Sequence, residues 1–279
     1  NVENLFDTMN DSLTDDDDRT PQGRDRWTGD RYRRKLVNIA RVLAGIGREH
    51  RKGCPDLVGL CEVENRQVLE ELCAQPPLRS AGYGIVHFDS PDHRGIDVAL
   101  LYRKSAFAVV EQESRRLLLH TPQHGRKYTR DQLVVFGFLD GEPVYVSVNH
   151  WPSRSGGQAA SEPFRRQAAA LQRSILDSIL KKDPEARLIS MGDFNDEPSD
   201  ISMRYGLGTR ENQDSLPPNL FYNPMEDMYR SGLGSLAYRD RWSLFDQILF
   251  TGNWFRNKKS YTFWKAGVYR PAFLITAEG

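Results

Sequence analysis

Apolar positions along this chain recur with two periods, and the switches between them mark its elements. Tyr32, Leu36, Ile39, Ala40, Leu43 and Ile46 fall at helical spacing and predict a helix closed by Gly47. Val68, Leu69 and Leu72 define one face of a second helix over 65–74. Phe164, Ala168, Leu171, Ile175 and Ile179 give a third helix its buried face, with Ser161, Glu162 and Pro163 as its start signal. Short apolar runs predict strands at 56–61, 83–88, 97–102, 107–110, 115–119, 187–191, 242–250 and 261–264. The runs 133–139 and 144–150 predict a hairpin across Asp140-Gly141-Glu142-Pro143. Residues 1–6 alternate as a strand end does, and 201–240 is Gly/Pro/Asn-rich, an irregular insertion suited to shaping a binding surface. The acidic run 15–18 reads as a solvated loop, with calcium binding as the lesser alternative.

Three apolar runs end in chemistry. Leu188-Ile189-Ser190-Met191 meets Gly192 and then Asp193-Phe194-Asn195. Extended backbone carried past Gly192 puts the Asp193 carboxylate and the Asn195 carboxamide on one side. Such a pair can take a proton and hold an oxyanion or a metal's water; an Asx turn bonded to nearby backbone is the alternative. The run 56–61 leads into Glu62-Val63-Glu64-Asn65, and 144–148 leads into Asn149-His150-Trp151-Pro152-Ser153-Arg154. Acid, amide and imidazole at three strand ends describe one site on a sheet.

Composition narrows the reading only a little. Apolar residues make up 39% and charged residues 27%, as in ordinary globular proteins. Lys plus Arg balances Asp plus Glu at 38 each, so bulk charge favours neither nucleic acid nor membrane as a partner. Cys54, Cys61 and Cys73 form no CxxC pair, so neither a disulfide framework nor zinc spacing is present, and Cys61 reads as a small buried hydrophobe. No apolar run reaches 18 residues, which excludes stable insertion across a membrane by a helix. We expect one domain over residues 1–279, acting as a monomer, with its first strand residues and its C-terminal strand missing.

The ordered set Asn1-Val2-Glu3-Asn4, Leu60-Cys61-Glu62, Arg94-Gly95-Ile96-Asp97-Val98-Ala99, Asn149-His150-Trp151-Pro152-Ser153-Arg154, Gly192-Asp193-Phe194-Asn195 and Phe245-Asp246-Gln247-Ile248 resembles the endonuclease/exonuclease/phosphatase superfamily, the deoxyribonuclease-I-like fold. The resemblance implies an α/β (α+β) four-layer sandwich: two packed mixed β-sheets flanked by helices. It also implies phosphate-ester hydrolysis with a divalent metal, magnesium or alternatively manganese. Glu62 resembles the main metal-binding carboxylate, and Asn1 and Glu3 the amide and acid that support the metal. Asp193 resembles the residue that orients or deprotonates the attacking water, and Asn195 the phosphate-oxygen ligand beside it. His150 resembles the histidine that hydrogen-bonds the phosphate; a histidine merely closing a hairpin strand is the alternative. Arg154 could fork onto a phosphate or sit in a surface ion pair. Asp246 resembles the acid that orients a catalytic histidine, or it anchors Arg241. The family's terminal Asp-His pair is not found: no histidine follows His150, and Gln247 follows Asp246.

The leading expectation is a metal-dependent phosphodiesterase or nuclease, with a phosphate ester, nucleic acid included, as substrate. Arg230, Arg239 and Arg241 with nearby aromatics suit nucleic acid, and the cations of 31–35 suit an anionic substrate's approach. A phosphatase or sphingomyelinase-like lipid enzyme is the alternative; a binding scaffold of weak turnover is the alternative of another class.

Overall fold

The structure is a computed structural model that describes residues 1–48, 53–121, 125–238, 241–256 and 261–274. In chain order its first half holds α1 (Gly29–Gly45), β1 (Leu57–Val63), α2 (Arg66–Cys73), α3 (Pro76–Arg79), β2 (Tyr83–His87), β3 (Asp97–Arg103), β4 (Phe107–Arg115), β5 (Leu119–His120), β6 (Arg126–Lys127) and β7 (Gln132–Leu139). The second half holds β8 (Glu142–His150), α4 (Gln158–Lys182), β9 (Leu188–Asp193), β10 (Thr209–Arg210), β11 (Phe221–Tyr222), α5 (Met225–Arg230), β12 (Leu236–Tyr238), β13 (Arg241–Ser243) and β14 (Asp246–Thr251).

Two sheets form the centre. One has the order β1-β3-β2 and is antiparallel; the other runs β10-β11-β14-β9-β8-β7-β4. The larger sheet is mixed, because β8 and β9 run parallel across the α4 crossover while β9 and β14 run antiparallel. Alternation along β3 shows how the layers assemble. Val98 and Leu100 join Cys61, Val135, Val146, Val148 and Met191 in the core between the sheets. Ala99 and Leu101 face the other way, against Leu36, Leu43, Leu69 and Leu72 of α1 and α2. The outer face of the large sheet buries Leu188 and Leu249 against Ala168, Ile175 and Leu176 of α4. Helix, sheet, sheet, helix: this is the four-layer sandwich the resemblance implies. With both faces covered, inner strands read as unbroken apolar runs.

Several local expectations need correction. Helix α4 starts at Gln158 rather than at Ser161, whose hydroxyl donates to the Gly157 carbonyl at 2.7 Å. Residues 1–6 make only an isolated bridge, Leu5 to Val63, because Glu3 and Asn4 have φ of 53° and 61°. Asp16 is buried, not solvated, and accepts the backbone N–H of Asp11. The span 201–240 is more regular than its composition suggests, with a π-type turn at Ser202–Leu207, helix α5 and short strands pairing at the sheet edge. Residues 239–240 of it, including Arg239, lie outside the described residues. The predicted strand 242–250 is two strands, β13 and β14, and 261–264 is not a strand; Phe263 instead packs on Tyr222 and Phe250. Strand β4 runs on to Arg115 and β5 begins only at Leu119, so the strand expected at 115–119 is broken over 116–118.

Candidate functional site

The site is built by strand ends. Leu60 and Val63 both pack on the helical side of β1 and Cys61 on the sheet side, a spacing that pure alternation forbids. A bulge resolves it: the pairing with β3 skips between Cys61 and Val63, and Glu62, at φ 65°, leaves the ladder. The first residues run alongside, with Val2 N–H donating to the Cys61 carbonyl at 3.0 Å and Leu5 N–H to the Glu62 carbonyl at 2.8 Å. That brings Asn1 over Glu62.

Parallel pairing of β8 and β9 sets His150 level with Asp193, and antiparallel pairing with β14 sets Asp246 on the other side of Asp193. Gly192 makes the close approach possible. At φ 135° it sits where a Cβ would meet the Asn149 carbonyl oxygen at 2.0 Å. His150 Nε2 then lies 3.8 Å from Glu62 Oε1 and 3.7 Å from Asp193 Oδ2. The Asn1 side-chain amide donates to both carboxylates, at 3.0 Å to Glu62 and 2.9 Å to Asp193. Four of the expected residues therefore meet.

Beneath them lies a buried polar frame. Asn149 donates to Ser147 and Ser190 and accepts from the Trp151 indole, and Ser147 donates to Gln172 of α4. Trp151 is fully buried, with its ring edge-on to Phe194 at 4.8 Å.

The other expected residues take different stations. Asn195 turns out of the strand at φ 51°: its N–H donates to Asp193 Oδ1 at 2.9 Å and its carboxamide to the Trp151 carbonyl at 3.0 Å. The Asx turn and the grouping at the site thus hold together. Arg154 donates to the Asn195 carbonyl and to Asp196 and Asp200, and it stacks on Phe245 at 4.5 Å. Asp196 is paired in turn with buried Arg165 at 2.6 Å. Asp246 faces Asp193 and accepts from the Asn1 backbone nitrogen at 2.9 Å. Glu3 is exposed and stands outside the Glu62–His150–Asp193 group; its N–H donates to Asn1 Oδ1 at 2.7 Å. A groove of about 700 Å³ is lined by Asn1, Glu3, Asp193 and Asp246 together with Arg31, Arg34 and Lys35 of α1.

Charge follows from burial. Desolvation first and Asp246 second push the Asp193 carboxyl above the usual range, while the Asn1 amide pulls it down. Desolvation, then the Arg130 and Arg94 guanidiniums, hold the His150 imidazole well below its ordinary value, so it is neutral at pH 7. Glu62 Oε, Asp193 Oδ and His150 Nε2 lie within 4.8 Å of one another. Among the described residues, no lysine or arginine forms an ion pair with either carboxylate. Two acids, an amide and no cationic partner fit a divalent cation that keeps part of its water shell.

A family model described as "Endonuclease/Exonuclease/phosphatase family" matches residues 1–279. The chain belongs to this family. It is accordingly a metal-dependent phosphoric ester hydrolase. The structure is similar to TDP2 from Caenorhabditis elegans, with 17% identity, TM-score 0.53, and 81% of this chain and 61% of that one covered. It is also similar to an endonuclease/exonuclease/phosphatase family protein from Bacteroides thetaiotaomicron, with 16% identity, TM-score 0.52, and coverage of 80% and 77%. The human Nocturnin catalytic domain matches at 20% identity and TM-score 0.49, with 71% and 69% covered. No curated protein sequence matches the chain.

Sequence reasoning assigned no role to Asp92, Arg130 or Arg165, which are 8%, 4% and 0% exposed. The usable signal was faint: a charged residue in a short polar stretch next to an apolar run, with its partner dozens of residues away.

Proposed function

We propose that the chain hydrolyses a phosphodiester by attack of water, acting as a monomeric single domain with magnesium, or manganese in its place. The observation that carries this reading is the meeting of Glu62, Asp193, His150 and Asn1 at strand ends from both sheets. Glu62 and Asn1 would hold the ion, with Glu3 supporting its waters from the groove. Bound there, the ion supplies positive charge that polarises a phosphoryl oxygen and stabilises the leaving oxygen.

The chain's own groups do the rest. Asp193 orients the attacking water and takes its proton; its raised affinity for protons brings it closer to the working pH than an ordinary aspartate. Neutral His150 offers one ring N–H to the phosphoryl oxygens as charge builds on them. Asn195 spends one amide hydrogen on the Trp151 carbonyl and has a second for a phosphate oxygen. Arg154 braces the loop that carries Asn195, since its donors point at Asn195, Asp196 and Asp200.

Release of p-nitrophenol from bis(p-nitrophenyl) phosphate tests the reading. It should require magnesium and should vanish in Glu62→Ala and Asp193→Ala; metal-independent release, or none, would end it. Nucleic acid is the substrate class we favour, because cations line the groove beside the acids and Trp242 stands 58% exposed on a nearby hairpin. One observation favours a lipid phosphodiester instead: the short β12–β13 hairpin leaves Leu236 and Tyr238 exposed on one face and Trp242 exposed on the other. Parallel assays on plasmid DNA, abasic duplex, inositol phosphates and sphingomyelin separate the two. Steep loss of DNA binding with salt is the expected companion result.

A further inference from the structure

We propose that Asp92 and Arg130 are positioning residues, which hold Asn195 and the His150–Trp151 turn in working geometry by gripping the Trp151 carbonyl. The inference rests on the phosphodiesterase reading for its consequence, though not for its geometry.

Trp151 is held at both of its peptide groups. Its N–H donates to the Asp193 carbonyl at 2.9 Å. Its carbonyl accepts twice, from Asn195 Nδ2 at 3.0 Å and from Arg130 Nη2 at 2.7 Å. The other arm of the guanidinium donates to Asp92 Oδ2 at 2.9 Å. Asp92 is fixed from the opposite side, where Oδ1 accepts the Arg94 N–H at 3.0 Å and Nε at 3.2 Å. Asp92 and Arg130 are only 8% and 4% exposed. A relay of four groups thus runs from the loop before β3 to the carboxamide beside the putting-together of Glu62, His150 and Asp193.

The chemistry of the pair suits this task better than it suits stability. A buried ion pair roughly offsets its own desolvation, so an apolar pair of equal volume would stabilise the fold as well or better. What an apolar pair cannot do is aim a charged donor at one carbonyl. Charge-assisted hydrogen bonds are short and directional, and a planar guanidinium can serve an acid and a carbonyl at once in fixed orientation. A lysine in its place would offer a point charge and lose that fork. Sharing the carbonyl with Arg130 fixes the acceptor to which Asn195 is tied, and so the direction of its second hydrogen. The residue before Trp151 is His150, so the same grip sets the imidazole.

The test uses Arg130→Lys, Arg130→Met and the near-isosteric Asp92→Asn, each confirmed folded and assayed with bis(p-nitrophenyl) phosphate at saturating magnesium. A misplaced group costs about 10²-fold in rate. We expect Arg130→Met to lower kcat by about that factor, and Arg130→Lys and Asp92→Asn by about tenfold, with KM and magnesium affinity within about threefold of the parent. Placed on Asn195→Ala, Arg130→Met should cost clearly less than it does in the parent, because part of its effect runs through Asn195 and only the part that sets His150 remains. Unchanged kcat in folded variants, or full additivity with Asn195→Ala, would overturn the proposal. An activity-free readout stands beside these: the side-chain amide resonance of Asn195 should shift and exchange faster with solvent in Asp92→Asn and Arg130→Lys. An unmoved resonance overturns the proposal even if the wild-type chain proves inactive. Absence of magnesium-dependent turnover in the wild type, with the resonance moving as expected, refutes the phosphodiesterase reading alone.

Discussion

The floor of the site and the hairpin at its edge are built on opposite terms. His150 and Asp193 are 4% and 6% exposed, while Tyr238 and Trp242 are 65% and 58% exposed. The floor sits at the ends of paired inner strands, over a polar frame in which Asn149, Ser147, Ser190 and Gln172 bond one another. The hairpin has three residue pairs and is joined to the floor where the Asp246 N–H donates to Ser235 Oγ at 3.2 Å. Position is enforced in one and left loose in the other. Groups that must meet within hydrogen-bond tolerance belong on the enforced part. Side chains that choose among substrates can stand on the loose part, because stacking tolerates imprecision.

Substitutions on the two parts should therefore differ in kind. The largest effect is expected on the floor: Asp193→Asn and Glu62→Gln should each lower kcat about 10³-fold, near 4 kcal/mol. Thermal unfolding of the same variants should show unchanged or raised stability, because among the described residues neither carboxylate forms an ion pair with a lysine or arginine. A rate loss that tracks a stability loss would erase the distinction drawn above. Next comes the frame below the floor. Arg165→Met leaves Asp196 without the partner that lies 2.6 Å away, and urea unfolding should show a loss of about 3–5 kcal/mol. A loss under 1 kcal/mol would mean that water or Arg154 replaces Arg165.

Smaller effects belong to the edge. Trp242→Ala should leave bis(p-nitrophenyl) phosphate turnover unchanged within about twofold, yet weaken single-stranded DNA binding about tenfold. Stability should stay within about 0.5 kcal/mol of the parent. Equal losses on both substrates would place the hairpin functionally in the floor.

The smallest effects are expected in pH profiles. Asp193 must be ionised to accept a proton, so rate should rise with pH, with a midpoint above the ordinary aspartate value of about 3.9. For Asp92, burial pushes upward but Arg130 and Arg94 outweigh it, and the net shift is downward. A depressed folded value contributes stability above the unfolded pKa of about 3.9, lost as pH falls below it. Asp92→Asn should therefore flatten the acid limb of a stability–pH curve. A curve parallel to the wild type's would show that Asp92 ionises alike in folded and unfolded chains.

Legibility in the sequence followed the range of the interactions. Helix α1 was readable because Tyr32, Leu36, Ala40 and Leu43 all face one core. The strand ends were readable because an apolar run that stops at Asp193, or at His150, stops for a reason the composition shows. The start of α4 was misread because Ser161 has cap chemistry but spends its hydroxyl within the helix, on the Gly157 carbonyl. The bulge at Glu62 was invisible, since nothing in Leu60-Cys61-Glu62-Val63 states that two of these residues oppose one on β3. Arg154 was ambiguous by residue type and settles among Asp196, Asp200 and Asn195 only because the chain after β9 turns back on it.

From its own order of residues, then, this chain determined which segments bury two faces and which acids, amides and imidazole stand where those segments end. Local periodicity and local termination are enough for that. Tertiary structure alone decided that Asn1 lies over Glu62, that burial and then Asp246 raise the proton affinity of Asp193, and that Arg130 reaches Trp151. Each depends on strand register or on a contact between distant segments, and one residue of slip along any strand would move its side chains to the opposite face.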